Sequence, residues 1–352
     1  MRHKRMTSLD KQHGLSLIEI MVALTVSLIL MAGVLQIFLS SKQSYKANDG
    51  LSRVQEAGRF SLESLIREVR LTGFQGCANP TWVDTSTPAT NAAPTASFNL
   101  RNSALRGFNA AAGGTWLPAF NTTEFTTNVT KVPGSDILAV LHGSSIQASV
   151  LNTSSTTKID MQSNPDGLAA GTVALVTDCG SADVFSVSSI TGNSITPDIT
   201  LSHAYGTQGS TATVMRLESY FYFVGDTGRT GDDGQPIRSL YRRTLDGASE
   251  ELIEGVENMQ VLYGQKSGAN IQYLPAGNAA LNMSQVVSVQ VAVLVSASSA
   301  SRDTDDTTVY TLLNDCVGPP DNTACAGTYA AKRRLRQVFT TTISLRNRQD
   351  SI

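Results

Sequence analysis

The chain has 352 residues, with 16% charged, 41% hydrophobic and a formal charge of −2. That length allows one large or two small domains and a sizeable core. The mildly acidic balance gives no case for a nucleic-acid surface, and the hydrophobic share argues against disorder throughout.

Residues 1–14 carry Arg2, Lys4, Arg5 and Lys11 against Asp10. By the positive-inside rule this leader stays cytoplasmic and the remainder is exported. The leader holds four basic residues and one acidic residue, so its loss takes the net charge from −2 to −5. Gly14-Leu15-Ser16-Leu17-Ile18-Glu19 follows, and then an apolar run from Ile20 to Leu39. About twenty apolar residues suffice for a membrane-spanning helix. Glu19 is a lone carboxylate at the head of that run. A charge at mid-bilayer costs roughly 2.5–3.5 kcal/mol on insertion scales, so it calls for a partner and a role. An ordinary secretory signal needs a shorter apolar core and a small-x-small cleavage site. Leu35-Gln36-Ile37-Phe38-Leu39 supplies no such site. A plain anchor explains the run but not Glu19 beside Gly14. The pattern predicts cutting at Gly14, a new N-terminus at Leu15, and assembly through the apolar helix.

No proline occurs before Pro80. Leu15 to about Leu71 therefore reads as one helix, roughly 80 Å long at 1.5 Å per residue. Gly33, Gly50 and Gly58 are its soft points. Its second half is amphipathic: Leu51, Val54, Gly58, Leu62, Leu65, Ile66 and Val69 recur every three or four residues. Gly73, Gly76 and Pro80 end it. The predicted organisation is a leader over 1–14, a helical region over 15–75 with its transmembrane part at 18–39, and an exported β-rich domain over 76–352. Residues 81–133, rich in Thr, Ala, Asn, Gly and Pro, read as a variable loop region with short elements.

Predicted strands follow at Asp136–Leu141, Thr172–Thr177, Val184–Ile190, Val214–Val224, Ser239–Leu245, Ser288–Val295 and Val338–Leu345. The second and third flank a turn at Asp178-Cys179-Gly180. Gly225-Asp226-Thr227-Gly228 and Gly231-Asp232-Asp233-Gly234 read as turns. The expected fold class is α+β, a long N-terminal helix packed on an antiparallel sheet.

Cys77, Cys179, Cys316 and Cys325 all lie in the exported part, where disulfides form. Cys316 and Cys325 bracket a short loop and are expected to close it, which leaves Cys77 for Cys179. No metal site is expected, because there is no C-x-x-C and only His142 and His203 follow the leader. No catalytic residue and no cofactor are expected either. Gly143-Ser144-Ser145 is not a nucleophile elbow, and no phosphate-cradling Gly-Lys-Ser/Thr motif occurs. Asp226, Asp232 and Asp233 offer oxygens for calcium, but their spacing does not fit an EF-hand. Hairpin turns use the same residues for backbone reasons. Lys332-Arg333-Arg334-Leu335-Arg336 reads as a solvated basic segment.

The N-terminal pattern resembles the class III signal sequence of type IV prepilins and pseudopilins: basic leader, Gly, hydrophobic first residue, Glu at the fifth mature position, apolar helix. Leu15 departs from the usual Phe but stays hydrophobic. Several segments narrow the resemblance to PilW-type minor pilins. They are Phe38–Tyr45, Arg53–Phe60, Gly73–Cys77, Asp178-Cys179 with Ala182–Phe185, Glu251–Gln260 ahead of Tyr263-Gly264, and Ser344–Asn347. The resemblance implies a structural subunit, not an enzyme, that takes part in pilus assembly initiation and a tip complex. It implies prepilin peptidase at Gly14, N-methylation of Leu15, and Glu19 facing a neighbour's N-terminal amine. The implied partners are other minor pilins, the major pilin and a tip adhesin, with no nucleic acid. The implied location is the inner membrane, single-pass with the C-terminal domain periplasmic, and then the extracellular pilus. A J-type pseudopilin of a type II secretion system is the alternative, and a membrane-anchored exported enzyme a more distant one.

Overall fold

The structure is a computed structural model. It describes residues 16–77, 103–111, 114–120, 125, 127–207, 211–244, 247–319, 321–322, 324–329 and 333–347. Helix α1 runs from Leu17 to Leu71. The Ser16 hydroxyl accepts a hydrogen bond from the Glu19 amide at 3.2 Å, an N-cap that starts the helix. At the other end Gly73 takes a positive φ of 77°, which glycine adopts without strain. The Asn347 side-chain amide donates to the carbonyls of Arg70, Leu71 and Thr72 at that end.

The strands are β1 (Leu105–Ala111), β2 (Thr115–Leu117), β3 (Ile137–Gly143), β4 (Ala148–Ser149), β5 (Ile159–Asp160), β6 (Val173–Thr177), β7 (Ala182–Thr191), β8 (Ser194–Pro197), β9 (Thr213–Thr230), β10 (Pro236–Arg243), β11 (Ser249–Glu254), β12 (Val256–Ser267), β13 (Asn270–Pro275), β14 (Val286–Ser296), β15 (Tyr310–Leu312), β16 (Asp315–Gly318), β17 (Gly327–Thr328) and β18 (Arg336–Ser344). The first eleven make one sheet with the path β2-β1-β3-β9-β6-β7-β8-β5; β4 and β10 also pair with β9, and β11 with β10. Strand β9 is its spine, pairing with β6 near its start and with β10 towards its end. A second sheet runs β13-β12-β14-β18, and β15, β16 and β17 form a third. All described pairings between these strands are antiparallel except β16 with β17.

The chain divides into two compact units at Gly50. In the first unit the apolar side chains of α1, from Leu17 to Leu39, are exposed. In the second, α1 buries Val54, Ala57, Leu65 and Val69 in the largest core cluster. That cluster also takes Leu138 and Val140 from β3, Met259 and Val261 from β12, and Val291 and Val293 from β14. The loop before β3 joins the two larger sheets. The Asp136 carboxylate accepts from the Ala110 amide at 2.7 Å and the Val261 amide at 2.9 Å. Asn258 and Gln260 both donate to the Gly134 carbonyl at 2.8 Å.

The fold is α+β, as the pattern predicts, and all seven predicted strands are present with shifted ends. Three readings are corrected. Residues 105–117 hold two strands, and β1 sits inside the large sheet, so the predicted loop region is ordered sheet there. Residues 81–100 lie outside the described residues. Gly225-Asp226-Thr227-Gly228 is not a turn but the far end of β9; the turn comes at 231–234. Residues 249–267, not read as strand, form β11 and β12.

Candidate functional site

Gly14 and Leu15, the predicted processing residues, lie outside the described residues. Glu19 sits in the first turn of α1, three residues after its cap. An acidic residue there complements the positive end of the helix dipole and matches a Ser-x-x-Glu capping box. This local chemistry gives Glu19 a helix-starting use beside any role with a neighbour. The large apolar side chains that follow it, from Ile20 to Leu39, are exposed. Exposed apolar area on that scale needs a cover that the described residues do not provide, either lipid or other helices.

Cys77 is bonded to Cys179 and Cys316 to Cys325. The first bond ties the segment after α1 to the turn between β6 and β7. Asp178 builds that turn: its carboxylate accepts from the Gly180 amide at 2.9 Å and the Ser181 amide at 2.8 Å. Its other oxygen meets His203 Nε2 at 2.9 Å. Partial burial opposes the Asp178 charge, but the His203 and turn hydrogen bonds prevail and hold its carboxyl below the usual range.

Sequence reading found no nucleophile near either histidine, yet Ser202 Oγ lies 3.1 Å from His203 Nδ1. Serine, histidine and aspartate therefore meet here. Ser202 Oγ, however, donates its proton to Asp183 at 2.8 Å, and its amide donates there too at 2.7 Å. A hydroxyl committed to a carboxylate is not poised to give its proton to the imidazole. The group works as a clasp around the turn. A pocket of about 480 Å³ beside Phe108, Phe120, Leu281 and Met283 has no histidine, carboxylate or cysteine in its lining among the described residues.

The acidic turn and the basic segment meet each other. Arg334 grips Asp233 with two hydrogen bonds of 2.7 and 2.8 Å. Asp232 accepts from the Ala300 amide and Asp226 from the Gly228 amide. The three carboxylates do not converge as calcium ligands among the described residues. Arg336 is also buried, paired with Glu257 at 2.8 Å and Asp306 at 3.1 Å, and lies 4.0 Å over the Tyr329 ring. The predicted solvated basic run is thus corrected: two of its arginines are structural. Burial of Asp306 opposes its charge, but Tyr310, Thr308 and Arg336 hold its carboxyl below the usual range.

Sequence reasoning missed a second cluster altogether. Glu68 in the last turns of α1, His142 on β3 and Glu218 on β9 come together. His142 and Glu218 are cross-strand partners in the register of β3 and β9. The chain after α1 docks on the same strand, with Gly73 donating to the Leu141 carbonyl and Gly143 to that of Phe74. His142 Nε2 is 2.9 Å from Glu68, Nδ1 2.9 Å from the Gly143 carbonyl, and Nδ1 3.8 Å from Glu218. Burial works against a charged imidazole, yet Glu68, Gly143 and Glu218 together raise its pKa. Burial raises that of Glu218. No sequence signal pointed here, because the three residues come from distant elements.

Helix α1 thus carries an exposed apolar stretch, Leu17 to Leu39, and a later stretch from Val54 that packs in the core of the second unit. Residues 9–35 match the family model described as the prokaryotic N-terminal methylation motif. Residues 221–347 match that of the type IV pilus-assembly protein W, PilW. These two segments, one at the N-terminus and one in the C-terminal part, are thus similar to type IV pilus proteins. No curated protein and no solved structure matches it.

Proposed function

We propose that the chain is a minor pilin that enters the type IV pilus and helps start its assembly in a tip complex with other minor pilins. Prepilin peptidase cuts after Gly14 and methylates Leu15. The apolar half of α1 holds the subunit in the inner membrane, single-pass with the C-terminal domain periplasmic, and then bundles with neighbouring helices in the extracellular pilus. One observation carries this reading: the exposed apolar stretch of α1, with Glu19 near its head, overlaps the region 9–35 that matches the methylation motif. In an apolar filament core Glu19 pairs with a neighbour's N-terminal amine. Such a pair adds little net stability, but loss of one partner leaves a buried charge uncompensated, so the pair works as a register device. The match over residues 221–347 favours the PilW type over a secretion pseudopilin.

Glu19→Ala tests this. It should insert, because removing a charge eases embedding of the apolar run, and it should be cut, because Gly14 is unchanged. Surface pili and their content of this subunit should fall while total protein holds steady. Normal piliation with normal incorporation would leave Glu19 as a helix-starting residue only.

A further inference from the structure

We propose that Glu68, His142 and Glu218 form a binding site for one divalent transition-metal ion, of the zinc class, that pins the end of α1 to strands β3 and β9. Three observations converge on it. The first is the donor set. One nitrogen and two carboxylate oxygens from three elements fall within 4.8 Å of one another. Imidazole with carboxylate suits zinc and its first-row neighbours, whereas calcium prefers oxygen alone. The second is orientation. The Nδ1 proton of His142 goes to the Gly143 carbonyl at 2.9 Å, which turns Nε2 towards Glu68. A ligating histidine is commonly fixed in this way by a hydrogen bond from its other nitrogen. The third is the setting. Glu68 lies near the C-terminal end of α1, where the helix dipole favours a cation.

The distances suit a site that closes on its ion. Tetrahedral bonds of about 2.0–2.1 Å place neighbouring donors roughly 3.3 Å apart. Nε2 and Glu68 stand at 2.9 Å, so they part by a few tenths of an ångström. Glu218 now stands on the Nδ1 side at 3.8 Å and swings across. Its side chain is 25% exposed, which gives it room to turn and gives the ion a way in. On the same face of β9, Tyr222 is fully buried, and its hydroxyl has no hydrogen-bond partner among the described residues. Burial above all, and then the charge of Glu68, hold that hydroxyl's proton in place.

The test is zinc titration of the full chain in detergent after chelator treatment, in competition with a chromophoric chelator. Glu218→Gln is the main variant, since it keeps size and is the most exposed ligand; His142→Gln is the second. One equivalent should bind, thermal stability should rise with zinc, and each variant should weaken that binding at least ~10-fold. The zinc-free melting temperature of Glu218→Gln reports its fold. Absence of a stoichiometric site, or zinc affinity unchanged in a folded Glu218→Gln, would overturn the proposal and leave a hydrogen-bonded clamp.

Discussion

Arg336 lies buried between Glu257 and Asp306 with Tyr329 beneath its guanidinium. Arg336→Met would keep much of the stem's packing but strand two buried carboxylates. Breaking a buried pair from one side costs about 3–5 kcal/mol. Urea unfolding of the variant should show a loss of that order, and a loss under 1 kcal/mol would mean that water reaches the pair. Asp136 makes a different case. Burial pushes its carboxyl up to about 7, outweighing the two amides that favour its charged form. The folded state therefore keeps this proton at pH values where the unfolded chain has released it. Stability from Asp136 is full below about pH 4, falls as pH rises towards 7, and changes no further above that. Asp136→Asn removes this titration, so the drop in unfolding midpoint across that window should be shallower than in the parent. The variant should also be weaker by about 1–3 kcal/mol, because its amide cannot accept from both Ala110 and Val261.

At the scale of elements, Gly58 was legible as a helix soft point, but its reason was not. A Cβ there would run into the ring of Phe339 on β18. Alanine is worth up to about 1 kcal/mol over glycine in a helix interior. Overpacking a tight contact costs about 1–3 kcal/mol. Gly58→Ala should therefore destabilise on balance, and adding Phe339→Leu should recover part of the loss in a double-mutant cycle. Recovery of nothing would place the strain elsewhere. The same distinction explains which strands were readable. Strand β14 alternates Val289, Val291, Val293 and Val295, and its period of two marked it. Strand β12 breaks that pattern because Glu257, Asn258 and Gln260 are buried polar residues. Their partners, Arg336 and the Gly134 carbonyl, are far away in sequence. Strand β1 hid in a Gly- and Asn-containing stretch, where Gly107 makes room for the Tyr263 hydroxyl.

For the whole molecule, the processing and assembly roles proposed for Gly14, Leu15 and Glu19 come from the sequence alone, because the three stand in one local motif. The Glu68, His142 and Glu218 cluster was not readable there, because only the register of β3 on β9 and the docking of α1 assemble it. The division at Gly50 leads to a test on folding. The core begins at Val54, and the apolar side chains from Leu17 to Leu39 lend it nothing. Deleting residues 1–49 should give a soluble protein with both disulfides and cooperative unfolding. Deleting residues 1–70 should not, because it also removes Val54, Ala57, Leu65 and Val69 from the largest cluster. Each large-to-small loss in a core costs about 2–5 kcal/mol for Leu, and less for Val. Together these losses approach the 5–15 kcal/mol that a typical domain has to spare. Circular dichroism with urea titration of the two truncations measures this. If the shorter chain unfolds as cooperatively as the longer one, residues 50–70 are dispensable to the fold. If neither folds, the domain depends on the apolar half of its helix, and folding and assembly are one process.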